Sequence, residues 1–142
     1  MSEGPRGTAS TEQAPAPARV LIVEGYGQSR EGLTASLRGQ GLSVETAAEY
    51  TEAMRKMRDG RFAVAIIDVD LSAGRDSGLD GWDLARIFRA LHRGAAVILV
   101  TAEWRPELGV EAERLRDCCL LEKPINPAEL RAMVRALQSE VD

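Results

Sequence analysis

From Val20 onward the chain alternates short, uninterrupted apolar runs with stretches whose apolar residues recur every three or four positions. Val20-Leu21-Ile22-Val23 is apolar throughout, the pattern of a strand buried on both faces, and it ends at Glu24-Gly25. Leu33 and Leu37, followed by Gly39 and Gly41, predict a helix over 29–38. Residues 42–47 make a weaker strand, and Ala53, Met54 and Met57 mark a short helix stopped at Asp59-Gly60. A second buried strand over 62–67 ends at Asp68-Val69-Asp70. Ser72 to Gly81 contains three glycines and predicts a loop. Leu84, Ile87, Phe88 and Leu91 then predict a helix from Trp82 to Leu91. Val97-Ile98-Leu99-Val100 is a third buried strand, ending at Thr101, and Pro106 suits the first turn of the helix after it. Cys118 to Leu121 is a short last strand, followed by Glu122-Lys123-Pro124. Asn126-Pro127-Ala128-Glu129 reads as an N-cap, an N1 proline and an N3 glutamate reaching back, and Leu130, Met133, Val134 and Leu137 stripe the final helix. Five strand–helix units in succession predict an α/β fold with its sheet covered on both faces. At this size that is a doubly wound, flavodoxin-like three-layer sandwich of five parallel strands in the order 2-1-3-4-5.

Composition narrows the picture further. Within residues 1–18, thirteen are Gly, Pro, Ala, Ser or Thr, and no apolar side chain larger than Ala follows Met1. Such a segment buries too little surface to offset its ordering entropy, so a disordered tail is expected over 1–18 and one folded domain over 19–140. The net charge of −4 and pI near 5.1 leave no large basic excess, which argues against nucleic acid as a direct partner. No apolar run approaches the roughly 20 residues of a membrane span, and no signal-peptide core opens the chain; the expectation is a cytoplasmic protein without a membrane partner. The adjacent Cys118 and Cys119 are no disulfide framework and read as small packing residues. The single histidine, His92, makes a Ser-His or Cys-His apparatus unpromising; beside a helix end it reads as a favourable C-terminal charge.

Ligands of doubly wound sheets bind outside the carboxyl ends of the strands, at the switch point between the first and third. Those ends carry Glu24, Asp68 with Asp70, Thr101 and Lys123. Massed carboxylates are costly unless a cation relieves them, and hard oxygens suit Mg²⁺. A lysine with a hydroxyl beside it suits a transferred phosphoryl group. The chemistry implied is metal-assisted phosphoryl transfer onto a carboxylate nucleophile.

Here the chain resembles the receiver domain of two-component response regulators, over about residues 19–140. The resemblance rests on Val20-Leu21-Ile22-Val23-Glu24, Ile66-Ile67-Asp68-Val69-Asp70-Leu71, Leu79-Asp80-Gly81, Val97-Ile98-Leu99-Val100-Thr101-Ala102 and Leu121-Glu122-Lys123-Pro124, in order and on the right elements. It implies Asp68 as phosphoacceptor and Glu24 as the first acid of the strand-1 pair. It places Asp70 where a backbone carbonyl contacts the metal, Thr101 as the hydroxyl that closes on the phosphoryl group, and Lys123 as its counter-charge. The implied metal set is Glu24, Asp68 and Asp70, the implied cofactor Mg²⁺, and the Lys123-Pro124 bond is expected to be cis. The implied partners are a sensor histidine kinase or phosphotransfer protein and a downstream protein.

Three departures accompany the match. Gly25 stands where the second acid belongs, so Mg²⁺ binding should be weak unless the Asp70 carboxylate compensates. The loop after Asp68 is about five residues longer than usual, with Ser72 at the expected proline. Leu120 stands where many members carry a rotating Tyr or Phe, which suggests that activation instead orders the loop from Ser72 to Gly81. Trp104, just beyond Thr101, is a candidate for the site mouth. The expected function is thus a phosphorylatable receiver signalling through protein contacts. The alternative is a phosphorylation-independent pseudo-receiver that acts as a binding module. Asp68-Val69-Asp70 superficially resembles the nucleophile motif of haloacid dehalogenase-type phosphatases. That motif ends the first strand of a larger domain, however, so no enzyme is expected beyond self-catalysed phosphoryl transfer.

Overall fold

A computed structural model describes residues 18–74, 76–115 and 118–141 of the chain. Among them are five strands alternating with five helices: β1 (Ala18–Val23), α1 (Gly27–Leu37), β2 (Leu42–Ala47), α2 (Tyr50–Asp59), β3 (Val64–Asp68), α3 (Gly81–Leu91), β4 (Ala96–Thr101), α4 (Pro106–Glu113), β5 (Cys118–Glu122) and α5 (Pro127–Val141). All pairings are parallel and the sheet order is β2-β1-β3-β4-β5, the expected doubly wound arrangement. The tail expected over 1–18 lies outside the described residues except for Ala18, which opens β1.

Period-two alternation divides the apolar strands between two cores. Leu21, Val23, Ala65, Ile67, Val97 and Leu99 face α2, α3 and α4, where they meet Met57, Leu84, Phe88 and Leu108. Val20, Ile22, Val64, Ile66, Ile98 and Val100 point the other way, onto Leu33 and Leu37 of α1 and Leu130, Val134 and Leu137 of α5. Each buried Leu or Ile contributes roughly 1.5–3 kcal/mol of transfer free energy, so continuous apolar strands between two helical layers are the stable solution. One result is that the strand ends are held rigidly at one edge of the sheet.

The segment after β3 is more ordered than its three glycines imply. Ser72 and Asp80 form an antiparallel bridge, and the Ala73 N–H donates to the Leu79 carbonyl at 3.1 Å. The base of the loop is therefore a closed hairpin stem. Asp80 caps α3 by accepting from the N–H groups of Trp82 and Asp83, while the Asp83 carboxylate accepts the Asp80 N–H. This reciprocal cap starts the helix at Gly81, one residue ahead of the apolar pattern.

His92, read from the sequence as a residue beside a helix end, stands at the C-cap of α3 with its ring turned inward. It is buried, stacks on Phe88 with centroids 4.7 Å apart, meets Phe62 edge-on, and its Nε2 donates to the Met57 carbonyl at 2.9 Å. The imidazole thus ties α2 to the end of α3.

Candidate functional site

The carboxyl ends of β1, β3 and β5 meet at a cleft of about 640 Å³ lined by Glu24, Gly25, Tyr26, Asp68, Asp70 and Lys123, among others. Glu24 is almost fully buried, at 1% exposure, because it directly extends the apolar run of β1 into the sheet edge. Its Oε1 lies 2.6 Å from Lys123 Nζ, and the same ammonium lies 3.3 Å from Asp68 Oδ2. The Glu24 contact is a close ion pair, and it is the one partner of the buried Oε1 among the described residues. Oε2 accepts the Tyr26 N–H at 3.1 Å.

Electrostatics follow from that burial. Loss of solvent pushes the Glu24 carboxyl above its ordinary range and the Asp68 charge adds to this, against the Lys123 ammonium and the Tyr26 N–H. Burial by itself would lower Lys123, but its contacts with Glu24 and Asp68 outweigh that and hold the ammonium above the usual lysine value. Lys123 is a permanent cation between two acids.

Asp68 is held by the turn that follows it. Oδ1 accepts the Asp70 N–H at 2.9 Å and the Asp68 carbonyl accepts the Leu71 N–H at 3.1 Å. One oxygen thus organises the turn while the other faces the ammonium. The opposite wall of this turn is Gly81: a Cβ there would lie 2.7 Å from Val69 Cα and inside contact distance of the Asp68 carbonyl. Only glycine lets the α3 N-terminus pass so close.

Of the residues read from the sequence, Glu24, Asp68 and Lys123 come into direct contact. Asp70 lines the same cleft with its side chain exposed, and its N–H rather than its carboxylate reaches Asp68. The Thr101 hydroxyl turns away: it donates to the Glu103 carbonyl at 3.1 Å and accepts the Glu103 N–H at 3.2 Å. The Thr101 carbonyl accepts the Lys123 N–H, which ties β4 to the lysine through backbone alone. Trp104 does not line the cleft; its side chain is half exposed and its backbone N–H donates to Glu122 Oε2. Cys118 is half-buried, and burial pushes its thiol up to about 12, which leaves it inert at neutral pH. The Lys123-Pro124 bond is cis.

Two contributors carry no signal in the sequence. Arg30 donates from Nη1 to the carbonyls of Glu24, at 2.9 Å, and Gly25, at 3.4 Å, pinning the turn after β1. Tyr26 supplies the N–H on Glu24. Backbone partners leave no trace in residue type, so neither role was legible beforehand.

The donor set suits a hard cation that brings its own waters. Glu24 and Asp68 present carboxylate oxygens to one cleft, both in reach of the same lysine, and Mg²⁺ is ordinarily bound through one or two carboxylates together with water and phosphate oxygens. Glu24, Asp68 and Asp70 do not close into a cage: among the described residues no three acidic, His or Cys side chains are grouped closely enough to hold an ion.

A parallel five-stranded sheet in this order, with an acid–lysine–acid contact at its carboxyl edge, is the architecture of a receiver domain. The chain belongs to that family: residues 20–135 match the response regulator receiver domain. It is 31% identical over 119 residues to the transcriptional regulatory protein CusR of Escherichia coli (strain K12), covering 84% of this chain and 50% of that one. It is likewise 31% identical over 121 residues to the DNA-binding response regulator MtrA of Mycobacterium tuberculosis (strain ATCC 25618 / H37Rv), covering 83% and 49%. The chain thus spans about half the length of these curated relatives. Among solved structures it is similar to a CheY-like receiver domain protein from Methanospirillum hungatei JF-1, with TM-score 0.77 and 26% identity, covering 87% and 95% of the two chains. It also resembles chemotaxis protein CheY4 of Vibrio cholerae, with TM-score 0.75 and 28% identity over 86% and 99%. Receiver domains are signalling modules of two-component systems that interact with histidine kinases or phosphotransfer proteins, and they generally bind Mg²⁺ at the phosphorylation site. No helix among the described residues is long and apolar enough to cross a membrane.

Proposed function

We propose that this chain is a phosphorylatable receiver in which Asp68 takes a phosphoryl group from a histidine kinase or phosphotransfer protein, and that its output passes through protein contacts. The observation that carries this reading is Lys123 Nζ placed 3.3 Å from Asp68 Oδ2 and 2.6 Å from Glu24. A carboxylate that must accept a dianionic group needs a fixed cation at the point where charge accumulates.

In the reaction, Asp68 Oδ2 attacks phosphorus as the bond to the donor atom breaks, and the donor departs with that electron pair. Lys123 meets the incoming phosphoryl oxygens. Glu24 keeps the ammonium in position, and Asp70 N–H continues to hold the other Asp68 oxygen. Thr101 would have to release the Glu103 backbone before its hydroxyl could reach the phosphoryl group. Mg²⁺, when bound, would be held by Glu24 and Asp68 with oxygens of residue 70 and would neutralise phosphoryl charge. With Gly25 contributing no ligand, that affinity is expected to be weak.

Intact mass spectrometry after acetyl phosphate treatment tests the reading. One added phosphoryl group that requires Mg²⁺ and disappears in Asp68→Asn is expected. No adduct under any Mg²⁺ concentration would leave the pseudo-receiver, a binding module without phosphorylation, as the surviving account. Label retained in Asp68→Asn and lost in Asp70→Asn would move the acceptor by two residues.

A further inference from the structure

At the opposite edge of the sheet, three neighbouring strands each begin beside an arginine. Arg19 lies in β1, Arg61 precedes β3 and Arg93 precedes β4. Because β1, β3 and β4 are adjacent in the sheet, the three arginines share one edge of it. Together with Phe62 and His92 they line a cavity of about 220 Å³.

Arg19 is built into this cavity. Its guanidinium lies over the Phe62 ring, 4.6 Å from the centroid, and is paired with Glu45. Gly60 makes room for it, since a Cβ there would come within 2.9 Å of Arg19 Nη1. Arg61 and Arg93 are exposed, and neither makes an ion pair among the described residues. The simplest alternative is that they neutralise the C-terminal dipoles of α2 and α3. Those last turns already carry Lys56 and Arg58, and Arg89, whereas Arg61 and Arg93 stand beyond the helix caps. Among the described residues, the carboxylate paired within the cluster is Glu45, already committed to Arg19. In a chain of net charge −4, unpaired guanidiniums gathered around one cavity are a local excess of positive charge.

We propose that this cavity is an anion site for a small phosphate-class oxyanion, with Arg61 and Arg93 as its ligands and Arg19 as a fixed wall. Guanidinium forks match tetrahedral oxyanions bidentately, which is why arginines rather than lysines suit such a site. The site lies across the full sheet from Asp68, so the two anion-binding functions are spatially separate.

Amide chemical-shift titration with inorganic phosphate and with pyrophosphate, at constant ionic strength, tests it. Saturable shifts are expected at residues 61–63 and 93–95. Arg61→Gln/Arg93→Gln should weaken binding by about tenfold or more, the loss that follows removal of charge-assisted contacts. Both positions are exposed, so the fold should survive, and unchanged amide shifts elsewhere would confirm that. Arg55→Gln/Arg58→Gln serves as a charge-matched control and should leave binding intact. Equal weakening in the control, shifts confined to the Asp68 cleft, or no saturation with either anion would each overturn the proposal.

Discussion

Gly81 passes so close to the Asp68 carbonyl that no side chain fits between them: a Cβ would also meet Val69 Cα at 2.7 Å. The turn after Asp68 and the first residue of α3 are therefore one packing unit, joined by the Gly81 N–H donating to the Val69 carbonyl. Gly81→Ala is expected to lower stability by about 1–3 kcal/mol, since the methyl group must displace backbone rather than a flexible side chain. Urea unfolding would measure it. Wild-type stability in this variant would mean the contact is looser than described.

The buried acid–lysine contact has a pH signature. The Glu24 carboxyl is raised, chiefly by burial, so its folded form binds a proton more readily than its unfolded form. Its contribution to stability is complete below the unfolded value of about 4.5 and is lost as pH rises through the higher folded value. Lys123 is also raised, so its contribution is present at neutral pH and is lost only in the alkaline range above the ordinary lysine value of 10.5. Lys123→Met strands Glu24 without its cation and should cost up to about 3–5 kcal/mol at neutral pH, partly recovered on acidification. Adding Glu24→Gln should restore most of that loss. Chemical denaturation of the double-mutant cycle checks both, and additive losses would show the two groups are not coupled.

Gly25 has room to become an acid. It does not require a glycine-only backbone conformation, and a Cβ would sit at ordinary distances, 3.4 Å from the Ala48 carbonyl and 3.8 Å from Leu71 Cδ1. Gly25→Asp should tighten Mg²⁺ binding by about one to two decades, as expected from a gained charged ligand of ~1.5–3 kcal/mol. Calorimetric titration would show it. Tight binding in the unsubstituted chain, unaffected by Asp70→Ala, would contradict the weak-site account.

Beryllofluoride, as a phosphoryl mimic, should show which element responds. Leu120 has no ring to swing, whereas the hairpin between Ser72 and Asp80 is attached directly to the Asp68 turn. Its stem is already paired, so added hydrogen-exchange protection is expected beyond the stem and at the start of α3. Protection gained mainly around Leu120 would indicate the strand-5 route instead.

The fold and the identity of the contacting acids were legible in the sequence because both depend on pattern. Continuous apolar runs at Val20–Val23 and Val97–Val100 can be satisfied only between two helical layers, and the polar residues that follow each run must emerge at the same sheet edge. Glu24, Asp68 and Lys123 follow from that rule. What tertiary structure decided was where each group spends its bonds. Thr101 has the expected position but gives its hydroxyl to Glu103, Asp70 offers its N–H rather than its carboxylate, and His92 at the helix end stacks on Phe88. The closed stem of the loop and the necessity of glycine at 81 depend on a backbone approaching from many residues away. Residue type specifies which bonds a side chain can make; only the packed chain determines which neighbour is near enough to take them.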